Sequence, residues 1–246
     1  MLFEYYSCWE VLVALAVAFF ASVARAVSGF GHAAILAPVL SYFLHPKDVV
    51  AISNLTKFAV DVSFIVVEKP VLEKGETYAG SLVGVTIGAL IFGIISQKAL
   101  GVTVGVCILA LALLFLRGLK FKVRRESLLL AFAGFTSGLM GILTSVSGPQ
   151  IALALTNQGY PAYYVRKYVM TYMTVADAMV VSGLAFTGQI GTGHIALSVA
   201  ILPAILLGYW TGRRALKRLR PEALERLILA VVALSSLILV IKSILA

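Results

Sequence analysis

The chain has 246 residues, of which 61% are hydrophobic and 13% charged, with a formal net charge of +9 and a mean hydropathy of +1.00. A soluble globule is about 45–50% apolar, so this composition excludes one and leaves an integral membrane protein. The basic residues flank apolar runs and form no face with interleaved aromatics, which excludes nucleic acid as a partner.

With about 20 apolar residues taken as one span, the predicted segments are roughly 9–26, 30–44, 49–67, 79–97, 99–116, 127–144, 147–158, 163–187, 194–212 and 222–245. The first follows Glu4 and Glu10 with no basic residue before it, so it lacks the positive region of a cleavable signal and is expected to be retained. Trp9 with Tyr5 and Tyr6, and Trp210 with Tyr209, read as headgroup-level anchors. Cys8 and Cys107 have no metal-ligand spacing and read as apolar fillers.

Two glycine-containing, charge-poor breaks interrupt this pattern: Ser28-Gly29-Phe30-Gly31 and Ser145-Val146-Ser147-Gly148. The segments after them, 30–44 and 147–158, are short, and apolar runs of about 10–14 residues are more often re-entrant or broken helices than full crossings. Each can pair with its predecessor as a hairpin that dips in and returns. A backbone N–H or C=O without a partner is costly in hydrocarbon, so such breaks survive at membrane depth only inside protein or along a cavity. Paired breaks at corresponding positions of two halves point to a transporter's substrate site.

Basic clusters at Arg117, Lys120, Lys122, Arg124 and Arg125, and at Arg213, Arg214, Lys217, Arg218 and Arg220, are expected on the cytoplasmic side. Four segments, or two crossings and a hairpin, separate them, and each half holds an odd number of crossings. The second half is therefore inverted relative to the first, with both termini outside. Arg25, the loop with Lys69 and Lys74, and Arg166-Lys167 fall inside, and only Lys47 and Lys98 fall in outside loops. Gly31 with Gly148, Pro46 with Pro161 and Asp61 with Asp177 recur at a spacing of about 116 residues, consistent with such a repeat. The predicted organisation is a first transmembrane repeat over 1–116, a basic linker over 117–126 and a second repeat over 127–246.

Each break is placed to open a short helix whose free N–H groups and positive dipole end attract an anion. Backbone amides at Gly29, Gly31 and Gly148 and hydroxyls of Ser28 and Ser147 are the candidate donors, with His32 and Gln150 beside them. The competing role of glycine and serine is close helix packing, which fits Gly84, Gly88, Gly93, Gly134, Gly138 and Gly141 better. Asp61 and Asp177 lie well inside apolar segments, where a carboxylate faces a cavity or a partner. Lys57 precedes Asp61 by one helical turn and shares its face. Two readings stay open: a self-neutralising pair on one helix, or Lys57 receiving an anion while Asp61 or Asp177 takes up a proton. Asn54, Thr56, Tyr172 and Thr174 either complete a polar lining or bond a neighbouring helix, and His45 and His194 fall at segment ends.

The chain has no HExxH, CxxC, P-loop or G-x-S-x-G motif, so neither an enzyme nor a cofactor is expected. Gly31-His32-Ala33-Ala34-Ile35-Leu36-Ala37-Pro38 and Gly148-Pro149-Gln150-Ile151-Ala152-Leu153, each followed by a proline loop and a polar-studded helix, resemble the TauE/SafE sulfite-exporter family over essentially the whole chain. The second short helix departs from the pattern, with Leu155 near the place of Pro38. The resemblance implies a multi-pass transporter of the bacterial plasma membrane that moves sulfite, sulfoacetate or other organosulfonates. The resulting expectation is an all-α polytopic protein of two inverted repeats, about 8–10 segments, whose partners are the bilayer, a small anion and protons. An anion channel and an intramembrane enzyme or complex subunit are the alternatives.

Overall fold

The computed structural model describes residues 2–28, 31–67, 70–117, 123–215 and 221–245. Among these it is all helix: α1 (Leu2–Tyr5), α2 (Cys8–Ser28), α3 (Gly31–Leu40), α4 (Pro46–Val67), α5 (Gly75–Ile94), α6 (Gln97–Arg117), α7 (Glu126–Thr144), α8 (Pro149–Asn157), α9 (Ala162–Phe186), α10 (Thr192–Ala215) and α11 (Pro221–Leu245). All ten predicted segments appear, with α1 in addition. Among the described residues, five helices are long and apolar enough to cross a membrane by themselves: Cys8–Ala26, Gly75–Ile94, Glu126–Thr144, Ala162–Phe186 and Thr192–Arg214. α4 matches them in length, at 22 residues or about 33 Å at 1.5 Å per residue, but carries Lys57 and Asp61 inside it. The molecule is a polytopic membrane protein.

The bundle has two ends. At one, a cavity of about 590 Å³ is lined by Tyr6 just before α2 and Glu10 in its first turn, by Ser41 and Phe43 to Pro46 after α3, and by Lys98 and Lys242. The residues that enter α2 and leave α3 thus meet at the same end, so α2 and α3 form a hairpin that returns to it. At the other end, Lys74 bonds Glu126 at the start of α7, and Gln158, just past α8, donates to the Val123 carbonyl at 3.2 Å. The α7/α8 pair is therefore also a returning hairpin, and α4, running from Pro46 towards the Lys74 loop, joins the two ends. The two hairpins enter from opposite sides, as an inverted repeat requires.

Helix contacts follow the same exchange of α2–α6 for α7–α11. α5 packs on α7 as α10 packs on α2, α2 meets α3 as α7 meets α8, α4 meets α10 as α9 meets α5, and α4 packs on α9 and α6 on α11. Each hairpin's long helix is thus clamped by the opposite half. Small residues make the clamps close: a methyl at Gly134 or Gly138 on α7 would run into the Thr77 or Ser81 carbonyl of α5, and one at Gly208 on α10 into the Phe19 carbonyl of α2. Gly84 and Gly88 also have close neighbours across a helix interface. Gly93 differs from the packing expectation, because a Cβ there would meet nothing within 4 Å. Trp9, Trp210 and Tyr5 are exposed as anchors should be, but Tyr6 is buried in the core beneath the cavity. Cys8 is exposed at the start of α2 and so fills no core space.

Candidate functional site

The polar interior collects where the two breaks meet α4 and α9. α7 ends at Ser145, which takes a left-handed φ of 63° and donates its N–H to the Gly141 carbonyl at 2.9 Å. This turn leaves the Ser145 carbonyl facing α4, where it accepts a 2.8 Å bond from Lys57 Nζ. Lys57 also donates to Ser147 Oγ at 3.0 Å and pairs with Asp177 Oδ1 of α9 at 2.8 Å. Ser147 Oγ in turn donates to Asp177 Oδ1 at 3.0 Å. Ammonium, hydroxyl and carboxylate thus form a closed triangle that joins α4 to the second break and to α9.

The second pair joins Arg25 of α2 to Asp61 of α4, both almost fully buried. Asp61 is further tied across the halves, since Thr174 Oγ1 of α9 donates to its backbone carbonyl at 3.2 Å. Lys57 and Asp61 therefore do not neutralise each other on one helix face. Each takes a partner from another helix, because burial rewards the shortest charge-assisted contact available in three dimensions, not the i,i+4 neighbour. Arg25, expected in an inner loop, is instead a buried member of this cluster. Two cations and two carboxylates make the quartet formally neutral.

Around it stand the other predicted residues. Asn54 donates its amide to Ser145 Oγ at 3.0 Å and to the Gly141 carbonyl at 3.3 Å. His32, in the first turn of α3 and 1% exposed, shares a 3.2 Å bond between Nδ1 and Ser22 Oγ and lies within electrostatic reach of Arg25 and Lys57. Gly31 opens α3 as expected; Gly29 lies outside the described residues, as does the side chain of Ser28. Gly148 caps α8 with ordinary right-handed angles, and Pro149 takes the first position of that helix, so one of its N-terminal positions has no N–H to donate. Gln150 donates to Met140 Sδ at 2.9 Å and stands beside the cluster. Tyr172 is buried, its hydroxyl beside Ser81 and Ser137. Thr56 bonds back to the Ile52 carbonyl of its own helix at 2.9 Å. His45 and His194 lie at the cavity end, His194 bonded to Asp48 at 3.0 Å.

Several buried polar atoms of the cluster have no hydrogen-bond partner: Arg25 Nε, His32 Nε2, Asn54 Oδ1, Asp61 Oδ2, Asp177 Oδ2 and Gln150 Oε1. An interior that leaves such atoms open in one place has room in its bonding for a polar guest. Sequence reasoning missed Arg25, Ser22, Ser137 and Ser145. Arg25 carried a signal, being the one cation within the α2 sequence, a single helical turn before the first break.

A family model described as sulfite exporter TauE/SafE matches residues 14–239, most of the chain. No curated protein and no solved structure matches it.

Proposed function

The chain belongs to the sulfite exporter TauE/SafE family, and from that premise we propose that it is a secondary transporter of small sulfur-containing anions, working by alternating access in the plasma membrane of a bacterium. Its substrates are sulfite, sulfoacetate or a related organosulfonate. The two repeats, 1–116 and 127–246, rock against each other about the charge quartet, with 117–126 as the inner linker. The described parts of both basic clusters, Arg117, Arg124 and Arg125 and Arg213 and Arg214, fall at helix ends consistent with the Lys74 side facing the cytoplasm. The cavity lined by His45, Lys98 and Lys242 is then the outer approach.

The observation that carries this reading is a neutral, four-charge cluster buried between two opposed hairpins. Arg25 is the principal anion receptor, its guanidinium keeping a buried, unpartnered Nε beside Asp61. His32 Nε2 adds a second open position from the first break. Lys57 has all three ammonium donors engaged, by Ser145, Ser147 and Asp177. It organises the second break, with Ser147, Asn54 and Gly148, and releases a donor only if Asp177 moves away. Gly31, Gln150 and Tyr172 complete the surround.

Electroneutrality supplies the coupling. A monovalent anion entering the quartet leaves one uncompensated buried charge, at a cost of several kcal/mol. Protonation of Asp61 or Asp177 removes that charge, so a monovalent anion moves with one proton, and a dianion such as sulfoacetate, with its sulfonate and carboxylate, moves with two, one on each carboxylate. Purified protein in liposomes should take up labelled sulfoacetate faster under an inward proton gradient and show counterflow. Conductance far above a thousand ions per second would identify a channel instead. Thermal unfolding should shift upward with sulfite or sulfoacetate, because a ligand of the folded state alone stabilises it. A shift with carboxylates and none with any sulfur anion would overturn the substrate assignment.

A further inference from the structure

Between the quartet and the Lys74 end, α5, α7 and α9 enclose a column of hydroxyl groups. Tyr160, Tyr164, Tyr168 and Tyr172 recur every fourth residue and so share one face of α9 and its entry. The rings of Tyr160 and Tyr164 stack at 5.0 Å and those of Tyr164 and Tyr168 at 6.1 Å. Tyr78 of α5 continues the column, 6.4 Å from Tyr168 and 5.7 Å from Tyr172. The column ends two residues from the quartet: Tyr172 stands beside Ser137, which donates to the carbonyl of Ser147, itself bonded to Lys57 and Asp177.

Thr77 Oγ1, Tyr78 OH, Ser81 Oγ and Tyr172 OH are buried here with no hydrogen-bond partner, although neighbouring hydroxyls approach them. Four such hydroxyls in one place are costly, and apolar groups of the same shape would avoid that cost. α7 offers them no side chain of its own at Gly134 and Gly138, which press on the backbone of Thr77 and Ser81. A guest that accepts several hydrogen bonds at once satisfies them, and a sulfonate or sulfite group with its oxyanion oxygens is such a guest.

The mouth of the column at the Lys74 end is latched. Lys74 Nζ lies 2.5 Å from Glu126 Oε1 and 2.8 Å from Tyr160 OH, and Tyr160 OH donates to Glu126 at 2.8 Å. Tyr164 OH donates to Glu73 Oε2 at 2.9 Å. Burial opposes the charge on Lys74, but hydrogen bonds and charge from Glu126 and Tyr160 outweigh it and hold its pKa above the ordinary lysine range. The ammonium is therefore charged at neutral pH, at the mouth of a hydroxyl-lined path.

We propose that this column is a second anion station, the inner half of the route, in which Thr77, Tyr78, Ser81 and Tyr172 take a sulfur oxyanion between the quartet and the cytoplasm while Lys74, Glu126 and Tyr160 form the latch that closes it. The station rests on the anion-transport reading above. The test uses the full chain in nanodiscs with Cys8→Ala and Cys107→Ala, carrying Ser81→Cys, with Thr77→Cys as a second reporter should the first fail to fold. Each is treated with a sulfonate-bearing methanethiosulfonate and with its quaternary-ammonium analogue, with and without Lys74→Ala.

The anionic reagent is expected to label the Ser81→Cys protein about tenfold faster once the latch is cut. Sulfoacetate at ten times its Kd should slow that labelling about tenfold, as occupancy of a single site dictates. Labelling slowed by a carboxylate or phosphate but by no sulfur anion supports the station and counts against the sulfur-anion reading of the quartet. Equal labelling by both reagents, labelling that no anion slows, or introduced thiols that react only after denaturation in both reporters would each overturn the station.

Discussion

Lys57–Asp177 and Arg25–Asp61 hold the same two charges in the same protein interior, yet they are built differently. Lys57 is saturated: a carbonyl, a hydroxyl and a carboxylate take its three donors. Arg25 has five donors and leaves Nε unpartnered beside Asp61; both carboxylates, Asp61 and Asp177, leave Oδ2 unpartnered, so the difference lies in the cations. A buried pair with every donor used works as a clasp between α4, the second break and α9. On the proposed function, a buried pair with open donors works as a receptor, and the two hairpins have diverged in role.

Breaking the clasp is expected to have the largest effect. Lys57→Met leaves Asp177 charged and buried without its ammonium, which costs about 3–5 kcal/mol, read as a fall in the unfolding midpoint in detergent. Adding Asp177→Leu removes the stranded charge, and the double variant should regain most of that stability while remaining inactive in liposomes. A Lys57→Met protein within about 1 kcal/mol of the parent would show that Asp177 is already neutral, and the clasp account would fail.

The next effect concerns how the hairpins are held. Gly138→Val on α7 and Gly208→Val on α10 each drive a side chain into backbone of the facing helix, at the Ser81 and Phe19 carbonyls. Backbone cannot step aside as a side chain can, so each should cost about 1–3 kcal/mol. Gly93→Ala, with open space around it, should cost nothing and gain up to about 1 kcal/mol from helix propensity. Equal losses at Gly138 and Gly208 would indicate that the two clamps are equivalent; a loss at only one would confine the symmetry to the helix order.

Much of this was legible in the chain and some was not, for physical reasons. Apolar run lengths marked all ten long and short segments, because hydrocarbon thickness sets them. The breaks located both hairpins, and Lys57, Asp61 and Asp177 stood out as charges inside apolar runs. Their pairing was hidden: the four-residue spacing of Lys57 and Asp61 is a local rule, and the fold brings Asp177 and Arg25 closer. Arg25 was hidden twice over, since a cation beside a break at the end of an apolar run has the pattern of a loop charge. The break located the α2/α3 hairpin, but no spacing in sequence shows that Arg25 beside it is buried. Gly148, singled out for its backbone amide at the second break, caps α8 with a φ of −86° that is open to any residue.

Arg25→Lys sharpens the receptor half of the comparison. It keeps the charge opposite Asp61, so stability should change little. Planar, multi-donor contact with an oxyanion is lost, and about tenfold weaker binding, or about 1.4 kcal/mol, is expected for sulfoacetate. The measurement is the ligand-induced rise in unfolding temperature as sulfoacetate is titrated. Unchanged affinity would return the receptor role to Lys57.

Two further variants distinguish hydroxyls that serve each pair. Ser147→Ala removes the bridge between Lys57 and Asp177 and leaves a buried ammonium one acceptor short, which should cost about 1.5–3 kcal/mol if Lys57 finds no substitute and about 0.5–1.5 if it does. Ser22→Ala touches only the 3.2 Å contact to His32 and should fall at about 0.5–1 kcal/mol. The order matters more than the values: a clasp whose donors are all engaged must feel the loss of one partner, whereas a receptor with open positions already tolerates them. Should Ser22→Ala prove the more damaging, the His32 contact would be the rigid element, and the first break, not the second, would be the clasp.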